Sequence, residues 1–416
     1  MHFDLGFGKG TQPLDIPDGM IRDVLYPNEV ETDLTGEAEV RRALQNPIGS
    51  GKLKDIVQKG EKIAIITSDI TRPMPTYKVM PALLDELYEA GIRKEDITLV
   101  FALGSHRFMT EEEHKKLAGD RAYAEIRCVD GNRDDCVHIG TTSAGTPVDI
   151  VRDVAEADRR ICLGNIEYHY FAGYSGGAKA IMPGVSTRDA IQCNHRMMVR
   201  EDACAGKLEG NPLREDIEEA AAMLGVDFIL NVVLDAHKEI IHACAGDLKL
   251  AHREGCAYLD RLYAKQIDGR ADIVVVSQGG APKDLNLYQT QKALDNAKHA
   301  VKKGGVIVLV GSCREGLGEK VFEDWMNEAG KASDLTDRIR KDFQLGGHKA
   351  AAIAMVLENA DIHLVSEMPD EMVKNCFLEP YSSLQEAFDK AVEKTGKKAD
   401  VIVMPYGGST LPKSKQ

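Results

Sequence analysis

Short runs of β-branched residues recur along the chain, at 62–67, 97–103, 160–166, 228–234, 273–277, 306–310, 362–365 and 401–404. Between them lie stretches whose apolar residues repeat at i, i+3 and i+4, at 80–90, 214–224, 247–265, 288–303, 320–328, 348–359 and 384–394. Period 3.6 between runs of strand length predicts helices joining strands. A helix that connects two strands of one sheet carries the chain back to start the next strand in the same direction. The alternation therefore predicts an α/β fold of mostly parallel sheets covered by helices on both faces.

A chain of 416 residues suggests two such domains at ~150 residues each. The break is expected near 267–272, where a long helical pattern ends and a new strand begins. This gives domains over 1–268 and 269–416.

Charge narrows the function. Lys plus Arg is 52 and Asp plus Glu is 66, a net −14, with a single Trp. Such a chain repels phosphate backbones, which argues against nucleic acid as a partner. It has no basic amphipathic stripe, and its apolar runs fall far short of the ~20 residues needed to span a bilayer, so no membrane partner is expected. The N-terminus carries acidic residues and no apolar targeting segment. Nine dispersed cysteines without a C-x-x-C pair predict reduced, mostly buried thiols in a cytoplasmic protein.

In open α/β sheets, ligands sit beyond the carboxyl ends of strands. Four polar, glycine-bearing loops occupy such places: Ser68-Asp-Ile-Thr-Arg-Pro73, Gly104-Ser-His-Arg107, Glu167-Tyr-His-Tyr-Phe-Ala-Gly-Tyr-Ser-Gly-Gly-Ala-Lys179 and Gly279-Gly-Ala-Pro-Lys-Asp-Leu-Asn-Leu-Tyr288. They supply His106 and His169, whose imidazoles can pass protons near neutrality. A lone loop histidine is ordinarily bonded to backbone; two on equivalent loops point to a shared site.

The 173–179 loop is neither a Walker A nor a G-x-G-x-x-G motif. Its Ser175, Gly176 and Gly177 amides are expected to be free to cradle an anion; the bland reading is a tight turn. His195 has no second ligand at i+3 or i+4, where Met198 and Val199 stand, which disfavours a metal site built from protein alone. Gln289 and Lys292, following Tyr288, share one helical face. Arg72 adds a cation suited to carboxylate. Arg72 and Lys292 come from different halves, so together they imply a cleft between domains.

Taken together, these motifs resemble the nickel-pincer lactate racemase family. The resemblance rests on Asp-x-Thr-Arg at 69–72, Gly-Ser-His-Arg at 104–107, the long run from Glu167 to Gly184, Asn194-His195, and Tyr-Gln-x-Gln-Lys at 288–292, in that order. It implies a racemase or epimerase that inverts the C2 centre of a 2-hydroxy acid. Its cofactor would be nickel held by pyridinium-3,5-bisthiocarboxylic acid mononucleotide, covalent on Lys179. His195 would be the metal ligand, and His106 and His169 the acid/base pair. Arg72, Tyr288, Gln289 and Lys292 would bind the substrate. Asp69, grouped with the cofactor-binding residues Lys179, Ser175, Gly176, Gly177 and His195, would support Arg72 or His106. The first domain would then hold the cofactor and the catalytic groups, and the second would contribute substrate-binding residues. Cofactor-synthesis proteins would be transient partners.

Tyr168 stands where lactate racemases typically carry Pro, and the stretch Gly346-Gly-His-Lys349 lacks an aromatic residue, so malate or a sugar acid joins lactate as an expected substrate. Two other readings share the fold class. One is an NAD-dependent 2-hydroxy acid dehydrogenase, against which the missing G-x-G-x-x-G argues. The other is a non-catalytic protein that binds an anionic metabolite.

Overall fold

A computed structural model describes residues 1–235 and 237–414. The chain divides into two compact units: a middle unit, Val30–Arg261, and a terminal unit formed by Met1–Glu29 with the chain from Leu262 onward.

The middle unit is built on a six-stranded sheet in the order Ile240–Gly246, Phe228–Leu234, Arg159–Asn165, Ile63–Ser68, Ile97–Ala102, Arg127–Asp130. Only the first pair is antiparallel. Phe228–Leu234 is buried at all seven positions, which is why its sequence is apolar but for Asn231 rather than alternating. Thr76–Glu89 covers one face with Val79, Met80, Leu83, Leu84 and Leu87. Its Pro81 lies inside the helix and is accommodated there.

The terminal unit carries a second six-stranded sheet, parallel throughout, in the order Glu379–Tyr381, Ala360–Val365, Val301–Val310, Ala271–Ser277, Val401–Met404, Ile21–Val24. Its core includes Ile273, Val275, Val306, Val308 and Phe388. The α/β expectation, with mostly parallel sheets flanked by helices, holds in both units.

Two sequence expectations are corrected. The division at 268/269 assigns the first 29 residues to the wrong unit. Ile21–Val24 pairs with Val401–Met404, and the hairpin of His2–Phe7 with Gly10–Asp15 buries Phe3, Leu5, Leu14 and Ile16 in the terminal unit's core. That pairing spans almost the whole chain and leaves no periodic signal at the N-terminus. The helix expected at 288–303 is Leu287–Ala297, because Val301 already pairs with Ala271 as the next strand begins. Glu111–Glu125 is a further helix, opened by a Thr110/Glu113 capping box. Among the described residues, no helix is long and apolar enough to cross a membrane.

Candidate active site

Three neighbouring parallel strands, Arg159–Asn165, Ile63–Ser68 and Ile97–Ala102, deliver their following loops to one edge of the middle unit's sheet. The loops carry His169 and Lys179, Asp69 and Arg72, and His106. Backbone bonds tie them together: Gly104 N–H donates to Gly184 O at 2.9 Å, and Gly184 N–H to Lys179 O at 3.2 Å. Arg72 N–H closes a turn onto Asp69 O at 3.1 Å.

Asp69 is 2% exposed and lies 2.5 Å from His106 Nδ1. Burial alone would raise this carboxyl. Hydrogen bonds from His106 and from the Thr71 hydroxyl and amide outweigh burial and hold it below the usual carboxylate range. A carboxylate only accepts, so Nδ1 of His106 carries a proton and Nε2 offers a lone pair when the ring is neutral.

His169 is arranged the opposite way. The Ala172 N–H donates to its Nδ1 at 3.3 Å, so the neutral ring carries its proton on Nε2. Burial, then the charges of Lys179, His195, Arg72 and Arg214, push its pKa well below the ordinary histidine value. His169 thus rests neutral as an Nε2–H donor, wedged against Phe171 with ring centroids 4.4 Å apart. One neutral histidine presents a lone pair, able to act as a base, and the other an N–H hydrogen-bond donor.

The histidine hairpin, Tyr168–His169 with Gly173–Tyr174, is fastened at its base. Tyr168 and Tyr174 both donate to Asp260 Oδ1, at 2.6 and 2.8 Å. Burial raises both phenols, so they stay protonated as donors. Two glycines here are dictated by packing: a Cβ on Gly173 would meet Lys207 O at 2.0 Å, and one on Gly177 would meet the His252 ring at 2.8 Å.

The expected amide cradle is corrected. Ser175 N–H donates to Glu167 O and Gly177 N–H to Asn231 Oδ1, because the loop folds back as a hairpin and rests on strand Phe228–Leu234. Of these three amides, Gly176 alone makes no hydrogen bond among the described residues.

Lys179 ends beside Phe171, its amine 5.8 Å from the ring centre. Burial, then Arg214 and Arg72, push its pKa well below the usual lysine value. No carboxylate pairs with it among the described residues. A neutral amine is a nucleophile, so this environment fits covalent attachment of an acyl-type group.

His195 closes the helix Arg188–His195 and is 6% exposed. Asn194 Nδ2 donates to Leu213 O and Asp216 Oδ2, which fixes the amide so that Asn194 Oδ1 faces His195 Nδ1 at 3.0 Å. Nδ1 is then the donor and Nε2 carries the lone pair, the tautomer a metal ligand requires. Among the described residues, no group of three or more His, Cys, Asp or Glu is placed to hold a metal ion. A metal on His195 would take its other ligands from a bound cofactor, so these residues fit the implied nickel nucleotide.

Tyr288, Gln289 and Lys292 belong to the terminal unit, on the helix Leu287–Ala297. Gln289 and Lys292 are exposed on one face while Thr290 and Gln291 are buried. Lys292 has no ion pair among the described residues. Lys349 stands in the first turn of the helix Gly347–Leu357. Its amine donates to Tyr288 O at 2.5 Å and lies 4.0 Å over the Tyr288 ring. Burial, then Lys292, push its pKa down to about 7.

Sequence reasoning also missed Asp260, Asn231 and Arg214. Arg214 did leave a signal: it shares the apolar stripe of its helix with Ile217 and Ala221. Two cavities, of about 420 Å³ around Cys193, Arg196 and Arg200 and about 530 Å³ around Tyr77 and Gly119, contain none of the predicted site residues.

Comparison with known proteins matches two family models, the lactate racemase N-terminal domain over residues 7–206 and the lactate racemase C-terminal domain over residues 267–411. The chain is 33% identical to a lactate racemase of Thermoanaerobacterium thermosaccharolyticum, covering 100% of both chains. It is 34% identical to a lactate racemase of Lactiplantibacillus plantarum, covering 99% of each. The solved lactate racemase apoprotein from T. thermosaccharolyticum superposes with a TM-score of 0.88, covering 99% of this chain and 100% of that one. A Thermotoga maritima structure at 21% identity and TM-score 0.62, covering 93% of this chain and 100% of that one, shares the fold.

Proposed function

The chain belongs to the lactate racemase family of isomerases, and on that premise we propose that it inverts the C2 centre of a 2-hydroxy acid, lactate first among them. The dehydrogenase and binding-protein readings give way to this one.

The observation that carries it is the opposed tautomers of the two histidines. His106, backed by Asp69, is prepared to take the substrate hydroxyl proton at Nε2. His169, capped by Ala172, offers its Nε2–H as a hydrogen-bond donor to the substrate oxygen and gives up a proton only from the imidazolium, after taking one. Arg72, exposed and without an ion pair among the described residues, would hold the carboxylate. In the terminal unit, Gln289 and Lys292 offer an amide and an ammonium on one helical face, with Tyr288 beside them, and are the remaining substrate-binding candidates.

The nickel-pincer nucleotide, when bound, would supply a reversible hydride acceptor. Lys179 would hold it covalently through its neutral amine and His195 would ligate the nickel through Nε2. Phe171, packed edge-on against both His169 and His195, would exclude water from between the two rings.

The test is a chirality assay on protein co-produced with the cofactor-synthesis proteins, over a panel of lactate, malate and sugar acids. Racemisation of any member, lost in His106→Ala and His169→Ala, supports the reading. Full racemisation by both variants sinks it. The panel includes dicarboxylates because Lys349 lies within electrostatic range of Lys292.

A further inference from the structure

The terminal unit buries a lysine that has been given no role in the reaction. Lys349 is 7% exposed and makes no ion pair among the described residues. An ammonium taken out of water without a carboxylate is costly unless other groups stabilise its charge. Here one residue supplies both stabilising contacts. The Lys349 amine donates to Tyr288 O and stands over the face of the Tyr288 ring. The first is a charge-assisted hydrogen bond to a carbonyl dipole, and the second places a cation on the negative face of a π system.

The contact holds Tyr288 as much as it holds the lysine. Tyr288 is partly exposed at the second position of the helix Leu287–Ala297, next to exposed Gln289. Its ring meets Lys349 on its face and Phe322 edge-on, with centroids 5.7 Å apart and planes at 71°. Its backbone amide donates to Leu317 O at 3.2 Å. Carbonyl, amide and ring are therefore all held from within the terminal unit. Lys349 is buried where Tyr288 is not, so it reaches a ligand on that helical face only through Tyr288.

The charges around Lys349 make this hold reversible. Its helix packs against the helices Leu287–Ala297, Lys320–Glu328 and Ala332–Lys341 and the strand Ala360–Val365. From the first of these, Lys292 disfavours the ammonium and Asp295 favours it; among the described residues no charged group of the other three acts on it. Asp295 is already engaged by Gln291 at 2.6 Å and Lys298 at 3.0 Å. Burial is the largest influence, and the amine titrates at about 7. Below that pH an ammonium grips the ring; above it a neutral amine loses the attraction to the π face.

We propose that Lys349 is a positioning residue: its ammonium fixes the carbonyl and ring of Tyr288 and so sets how the Leu287–Ala297 face receives the substrate carboxylate. The part of Tyr288 in substrate binding rests on the proposed function; the hold of Lys349 on Tyr288 does not.

The first measurement needs no cofactor. In the full chain labelled with carbon-13 tyrosine, the Tyr288 ring resonance is assigned by its loss in Tyr288→Phe. It is expected to titrate with a midpoint of about 7 in wild type and to stay constant through that range in Lys349→Met. A Tyr288 resonance that does not titrate in wild type overturns the proposal, whether or not the variant folds. Titration that survives in Lys349→Met also overturns it.

The second measurement uses protein loaded with cofactor and the acid it racemises fastest. At pH 6.5, Lys349→Met is expected to raise KM about fivefold with a smaller change in kcat. At pH 9, where the wild-type amine is neutral, the two KM values are expected to converge. Equal KM at pH 6.5 overturns the proposal. So does a KM ratio that is the same at both pH values, because lost packing alone does not depend on pH. A loaded chain that racemises nothing removes the racemase reading, and the ring titration then decides the hold of Lys349 on Tyr288.

Discussion

Replacing Lys179 by Met tests the electrostatics of the site without any cofactor. In the fold its amine sits by the Phe171 ring, in range of two arginines, with no carboxylate to balance it among the described residues. Burial and those charges keep the amine neutral well below the usual lysine pKa. In the unfolded chain it titrates normally, near 10.4. Between its lowered folded value and about 10.4, the unfolded state therefore binds one more proton than the native state. Wild-type stability should then rise with pH in that window, with a contribution of up to about 1.4 kcal/mol per pH unit from this one group. Lys179→Met keeps the length and removes the proton. Its urea-unfolding free energy should exceed wild type at pH 7, and the excess should shrink through pH 8 and 9. Urea titrations followed by circular dichroism at the three pH values measure both slopes. A constant difference between the two proteins would show that Lys179 is protonated in the fold, and the argument for its nucleophilic role would fail.

Asp69→Asn replaces an acceptor-only partner by an amide that can donate, so the His106 proton should move from Nδ1 to Nε2; racemisation in loaded protein should fall roughly 100-fold, and nitrogen NMR of the ring should report the changed tautomer. Gly177→Ala must fit a Cβ 2.8 Å from the His252 ring at a φ of +56°, so it should lower stability by roughly 1–3 kcal/mol in urea unfolding; an unchanged midpoint would refute the packing account. His169 has a lowered folded pKa, so on acidification from about 6.5 the unfolded state takes up a proton first and stability falls with pH. In His169→Gln, which removes this uptake, that part of the acid loss should disappear.

Much of the architecture was legible because it is written in short-range periodicity. The apolar runs at 228–234 and 401–404 coincide with strands Phe228–Leu234 and Val401–Met404, since a strand buried on both faces shows no polar alternation, Asn231 being the one polar residue in the first. Failures came where the partner was distant. Ile21–Val24 reads as nothing in particular until Val401–Met404 lies beside it, nearly the full chain length away. The Ser175 and Gly177 amides looked available because sequence cannot show that Glu167 O and Asn231 Oδ1 already occupy them.

Residue types and their order were sufficient to nominate His106, His169 and Arg72, because strand-end loops in an α/β fold are where polar side chains gather, whereas His195, at the end of a helix, and the role of Lys179 came only through the family resemblance. The proton positions were decided by tertiary contacts alone. Asp69 sits 37 residues from His106 in sequence, and their bond exists only because two adjacent strands end side by side. The neutrality of His169 and Lys179 likewise follows from exclusion of water and convergence of like charges, and neither is a property of a residue or its neighbours in the chain. Arg214 marks the limit most plainly. Its place on an apolar helix stripe was visible in sequence, but the unpartnered Nε and Nη1 of its buried guanidinium, 3.8 Å from Glu218, are set only by the folded chain around it.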